Sequence, residues 1–357
     1  MSTGNRYHGV SLRTLLWALL AVGGWLIWLK FAVGDDSPRA WRALLVNFIF
    51  FTSLAGGLAV WPAIVRACNG SWHTGIERLA AAGIGFSVPS LLALLVLWIG
   101  SPHWSPWYIS RFHQGIWLDN SFIFARDGLA LLLFWGAAVH YTARRKGNGM
   151  VAGGILIALY ALVFSLLGMD LVMALDPHWF STLAGGYFFI SGLYIAITCW
   201  TFMAVWRPEA QPGHLHDLGR LVVAFSLMTT YFMYAHLLPI WYEALPHEVR
   251  FVAPRMNFQP WKSVSMALLA VVYLGPLVLL LMERAKRSRW WLGGVSFLIL
   301  AGMWVERWWL VVPTFEKELM LGAEELATAA AFAGFLGLGM ELFERYVPRT
   351  AVGEEKP

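Results

Sequence analysis

Ser165–Phe189 reads SLLGMDLVMALDPHWFSTLAGGYFF. One apolar run, 149–173, leads into it, and another, 180–206, leads out. Each is long enough to cross a bilayer core of about 30 Å, which takes roughly 20 apolar residues. Between them Asp176, Pro177 and His178 make a turn signal, because Asp before Pro favours a tight turn. The stretch therefore reads as two membrane helices joined by a polar turn. Asp170 stands inside the first helix, and that acid is the oddity to explain.

The pattern repeats along the chain. Of 357 residues, 59% are hydrophobic and 13% charged, against about 25% charged in a soluble domain. Mean hydropathy is +0.60. Alternating segments of about 10 residues, the mark of a β-barrel, are missing. The fold class is all-α integral membrane, with ten spans at 14–33, 41–65, 76–100, 119–142, 149–173, 180–206, 218–243, 261–283, 290–311 and 320–344. Residues 1–13 form an N-terminal segment, 14–344 the membrane domain and 345–357 a tail expected to be disordered. The run Leu15–Val33 follows Arg6 and Arg13 but is long for a signal peptide, so it is kept as span 1. Pro62, Pro89, Pro239 and Pro276 fall in or near spans, where packed bundles tolerate kinks.

The isoelectric point of about 9.3 does not indicate nucleic acid. Lys and Arg gather at span ends, as topology signals do. Most lie on one side, among them Arg66, Arg78, Arg144, Arg145, Lys146, Arg207, Arg220, Arg284, Lys286, Arg287, Arg289, Arg345, Arg349 and Lys356. That side is read as cytoplasmic, with both termini on it. The outer loops 101–118 and 244–260 are rich in Trp, Tyr, His and Pro, which suits an interfacial aromatic belt or a docking surface for another protein.

This topology sorts the polar residues by depth. Arg126 and Asp127 in span 4, Asp170 in span 5, the Asp176–His178 turn, His236 and Glu243 in span 7, and Glu306 with Arg307 in span 9 all fall toward the outer side. A charge at the bilayer centre costs about 2.5–3.5 kcal/mol on insertion scales, so such residues are paired or functional. Arg126–Asp127 and Glu306–Arg307 read either as interior ion pairs or as functional groups. Asp176 reads either as a cap for span 6 or as part of a site. Asp170 has no cation within four residues, so its partner must come from another helix. With His236, which titrates near neutrality, it suits a proton relay or a quinol head-group pocket. On the inner side His140, Tyr141 and Tyr231, with Asn47, Thr52, Ser53, Thr229 and Thr230, offer either a relay or helix–helix hydrogen bonds.

Cys68 and Cys199 lack metal or cluster spacing. Among the histidines only His140 and His236 lie within spans, at different depths, so they do not make a haem pair. No metal and no redox cofactor is expected in this chain.

Four segments carry a family resemblance. They are WLDNSFIFARDG (117–128), MDLVMALDPHWFSTLAGGYFF (169–189), GRLVVAFSLMTTYFMYAHLLPIWYEALPHEVRFVAPR (219–255) and LAGMWVERWWLVVPTF (300–315). In this order they resemble the ActF-type membrane subunit of alternative complex III, a quinol:cytochrome c or other acceptor oxidoreductase. The resemblance implies an NrfD-like fold, as in the membrane subunit of polysulfide reductase, with two four-helix bundles plus two further helices. It implies a bacterial inner membrane location. It also implies partners: a sister NrfD-like subunit that holds the quinol site, a periplasmic iron–sulfur protein, c-type cytochromes bearing haem c, lipids, and in some complexes a terminal oxidase. The subunit itself is expected to scaffold its sisters, to hold no redox centre and to help conduct protons. Asp170, Asp176, His178, Tyr242 and Glu243 fall at matching motif positions. His236 departs from a frequent neutral amide, which keeps direct quinol binding open; Glu306 replaces a common aspartate and keeps the carboxylate. A secondary transporter is the reading from another class, but transporter sites lie near the midplane.

Overall fold

The computed structural model describes residues 11–34, 37–72, 75–110, 112–143, 149–243 and 245–347. The segment before Ser11, Arg144, Arg145 and Lys146, and the tail beyond 347 with Arg349 and Lys356 lie outside the described residues. Among the described residues ten helices are long and apolar enough to cross a membrane, numbered spans 1 to 10: Leu12–Ala32, Ser37–Ala67, Glu77–Ile99, Asn120–Ala143, Gly149–Leu175, Ala184–Ala204, Pro212–Glu243, Trp261–Leu279, Arg289–Thr314 and Ala323–Tyr346. No strand occurs among the described residues. The chain is an all-α multi-pass membrane protein.

Spans 2–5 pack as one four-helix bundle and spans 6–9 as a second. Spans 2 and 6 meet between the bundles, flanked by spans 5 and 9. Spans 1 and 10 lie against each other and against span 2. Spans 2 and 6 are buried along most of their length, as expected of helices apolar on every side. Small residues let them approach: a Cβ on Gly57 would stand 2.5 Å from the Ala196 Cβ. Ser11 and Thr14 donate to Glu341 at 2.9 and 2.6 Å, which ties the start of span 1 to the end of span 10 on the inner side.

Four boundaries differ from the sequence reading by four residues or more, and span 2 is one of them, beginning at Ser37 rather than 41. Span 7 begins at Pro212 rather than 218, because Pro suits the first helical turn. Span 6 begins at Ala184 rather than 180, because Trp179 leaves the helix and stacks on Phe251 at 4.1 Å. Span 8 ends at Leu279 rather than 283 and widens into a π-helix over Leu269–Leu274. Pro276 has no N–H for the Val272 carbonyl, and the Tyr194 hydroxyl bonds that carbonyl instead at 2.9 Å. An outer helix, Pro246–Met256, joins spans 7 and 8.

Candidate functional site

The outer ends of the spans hold three linked groups of polar residues. The first lies in the bundle of spans 2–5. Arg126 donates from span 4 to the Asp170 carboxylate of span 5. Its sequence neighbour Asp127 is farther off, with Nε to Oδ1 at 4.0 Å, because adjacent residues on a helix face different ways. Asp127 and Asp170 are 0% and 1% exposed. Both Asp127 oxygens lack a donor, and its close polar neighbours are Arg126 and Asp170. One guanidinium thus stands beside two buried carboxyl groups. The Trp117 ring covers the guanidinium, with Cζ 3.9 Å from the ring centroid, and closes the triad toward the outer side.

The second group lies in the bundle of spans 6–9. Glu306 and Arg307 are both fully buried and paired at 3.1 Å. Tyr187 of span 6 donates to the other Glu306 oxygen. The Tyr273 hydroxyl lies 2.8 Å from that of Tyr187. Arg307 also donates to Ser191 at 2.8 Å and lies 4.4 Å from the Phe188 ring centroid. Phe188 in turn packs on Gly168, so it joins the Arg307 group to span 5, the helix that carries Asp170. Inward of Ser191, the Tyr160 hydroxyl and Ser53 Oγ both face Gly192; a Cβ there would meet the Tyr160 hydroxyl at 2.7 Å.

The third group caps the outer side. Asp176 accepts from Arg250 at 3.1 Å and from the His178 amide at 3.3 Å. Span 6 starts eight residues later, so Asp176 does not cap it; the carboxylate stabilises its own turn and ties it to the outer helix. The His178 ring lies 3.7 Å from Asp176 and is largely exposed. Gln114 from the loop after span 3 donates to the Pro177 carbonyl at 2.7 Å. Arg255, fully buried, donates to the carbonyls of Phe251, Trp309 and Leu310 and to the Thr314 hydroxyl at 2.7–3.0 Å. It thereby satisfies the end of span 9, where a cation also meets the helix dipole. Burial pulls its pKa down to about 9, opposed by Asp176, which leaves it charged at neutral pH.

His236 connects the third group to the second. It is buried against Trp179, 5.4 Å between centroids, and its Nδ1 lies 3.5 Å from Ser181 Oγ. A cavity of about 20 Å³ is lined by His236, Trp179 and Tyr187. His236 Nε2 and Trp179 Nε1 are both buried without a partner among the described residues. The space suits a single water, which needs about 10–15 Å³ and two or more polar partners.

Other sequence candidates stand apart. Tyr242 and Glu243 are exposed at the end of span 7, and Tyr231 is exposed on its flank. His140 is exposed near the inner end of span 4, far from His236, while Tyr141 beside it is buried. Thr229 and Thr230 donate back to Phe225 and Ser226 of their own helix, and Asn47 bonds Ala43 and Trp304. These inner-half groups serve local and helix–helix bonding. Tyr187, Tyr273, Ser191, Trp117 and Arg255 were not legible as site residues. An aromatic or an arginine at a span end reads equally as interfacial belt, and a tyrosine or serine within a span as helix packing; only the tertiary arrangement points these toward the buried charges.

No protein-family model matches the chain, and no curated protein matches it. The fold and its buried charges define a class: a ten-span helical membrane protein in which each of two bundles buries an arginine–carboxylate group near one face.

Proposed function

We propose that this chain is a cofactor-free integral subunit of a quinol-oxidising electron-transfer complex of the alternative complex III type, in a bacterial inner membrane, where it scaffolds its neighbours and carries protons. The observation that supports it best is the Arg126–Asp127–Asp170 triad, in which one guanidinium serves two buried carboxyl groups. With both acids ionised the triad is net negative; one shared proton makes it neutral, so protons are the natural cargo.

A route in the second bundle starts at the outer turn that carries Asp176 and His178, where Ser181 Oγ lies 3.5 Å from His236 Nδ1. It continues through one water in the adjoining cavity to Tyr187 and Glu306. A hydroxyl that accepts on one side and donates on the other passes a proton without moving. Electrons would travel through haem c and iron–sulfur clusters of partner subunits, with the sister NrfD-like subunit holding the quinol. A cavity the size of one water beside His236 favours proton transfer over binding of a quinol ring there.

The test is Asp170→Asn and His236→Ala in the assembled complex, reconstituted in vesicles. The proposal expects fewer protons released per electron in at least one variant. Unchanged stoichiometry and turnover in both would remove the proton role. A chain that purifies alone, without haem c absorbance or cytochrome and iron–sulfur partners, would remove the complex itself.

A further inference from the structure

Spans 7 and 8 part along their exposed flank. The π-helix of span 8 widens the gap, and the result is a groove of about 250 Å³ lined by Leu237, Met266 and Leu269 with the Tyr273 ring behind. Its buried polar groups are already engaged. Thr230 donates to the Ser226 carbonyl at 2.7 Å, Ser265 donates to the Arg255 carbonyl at 2.7 Å, and the Tyr273 hydroxyl pairs with Tyr187 at 2.8 Å. The one lining hydroxyl not engaged in this way among the described residues is that of Tyr234, which is exposed to the lipid side, so the buried part of the occupant is hydrocarbon. Met266 and Leu269 are exposed at its mouth, inside a membrane span, so the occupant enters from the lipid side.

The rim supplies the second half of the recognition. One turn outward from Met266 on the same helix face stands Lys262. It is exposed and makes no ion pair among the described residues. One turn outward from Leu237 stands Trp241, 77% exposed, at the depth where indole rings meet lipid head groups. An unpaired cation and an interfacial tryptophan thus sit above an apolar slot that runs inward along the helices.

We propose that this groove is a binding site for an anionic phospholipid, with its phosphate on Lys262 beside Trp241 and one acyl chain lying in the groove against Tyr273. The chain would fill the space that the π-helix opens and shield the Tyr273–Tyr187–Glu306 hydroxyl chain from the bilayer. This site does not depend on the proton reading and stands if that reading fails.

The experiment uses the full chain with its co-purifying partners, reconstituted in vesicles. The vesicles contain phosphatidylglycerol or phosphatidylcholine bearing a photoactivatable diazirine on one acyl chain. Adducts are mapped by mass spectrometry. The expected result is labelling within residues 230–241 and 262–273, about fivefold stronger with phosphatidylglycerol, the factor one lysine gives at a lipid surface. Lys262→Gln, an exposed change that leaves the fold intact, equalises the two lipids. Leu237→Trp fills the groove and lowers both signals. Equal labelling by both lipids in the unaltered protein overturns the proposal, as does a Lys262→Gln variant that keeps the preference. A tail-labelled quinone analogue that displaces phosphatidylglycerol from these residues also overturns it.

Discussion

Arg126 reaches past its own neighbour Asp127 to bond Asp170 on the next helix. One cation is therefore shared by two buried acids, and spans 4 and 5 are locked at their outer ends. Removing one partner of a buried pair leaves an uncompensated charge. Arg126→Met is expected to destabilise the protein by about 3 kcal/mol, and Arg126→Met with Asp170→Leu to recover most of it. Thermal unfolding of Arg126→Met, Asp170→Leu and the double variant in detergent checks this; losses that simply add would mean that the pair contributes no coupling.

Tyr187 is the only hydroxyl described between the cavity beside His236 and Glu306. Tyr187→Phe removes hydrogen bonds worth about 0.5–1.5 kcal/mol each, so the fold should survive. Proton release should slow by about tenfold or more if the hydroxyl relays protons. Tyr273→Phe should slow it less, because Tyr273 branches off that route. Stopped-flow measurement with a pH dye in vesicles separates the two, and equal rates in both variants would rule out a directional relay.

Arg255 satisfies three carbonyls and a hydroxyl with one planar group. Lysine keeps the charge but not the fork. Arg255→Lys is therefore expected to loosen the junction between the outer helix and span 9, by about 2 kcal/mol or more. Faster amide exchange over residues 306–314 and 251–256 would report it, while the inner halves of the spans stay protected.

Gly85 and Gly339 bring spans 3 and 10 together backbone to backbone. A Cβ on Gly339 would lie 2.6 Å from the Gly85 carbonyl carbon. Gly339→Val should push span 10 away, with a loss of about 1–3 kcal/mol, as overpacking does. Gly136, whose Cβ would meet nothing within 4 Å, is the control. Its replacement by alanine should not lower the melting temperature and should raise it slightly, because alanine is the better helix former.

Cys68 is exposed just past the inner end of span 2, whereas Cys199 is buried in span 6. A membrane-impermeant maleimide should label Cys68 in inverted vesicles and not in right-side-out ones. The reverse pattern would turn the whole topology over.

The sequence by itself determined the class of protein and the ten spans, because a bilayer demands about 20 apolar residues per crossing and charges are too costly to place at random. It also determined which residues are anomalous: Asp127, Asp170, His236, Glu306 and Arg307 are buried here as their positions in apolar runs require. Partnership was decided only by tertiary structure. Arg126 and Asp127 are adjacent in the chain, yet the guanidinium belongs to Asp170, because helix geometry turns neighbours apart and packing brings distant residues together. Tyr187, Tyr273 and Arg255 became legible only where span 6, the π-turn of span 8 and the outer helix converge on span 9. A tyrosine in a span or an arginine beside one reads the same whether it faces lipid, water or a buried carboxylate. Its direction is a property of the packed bundle, set by which neighbours leave room for it.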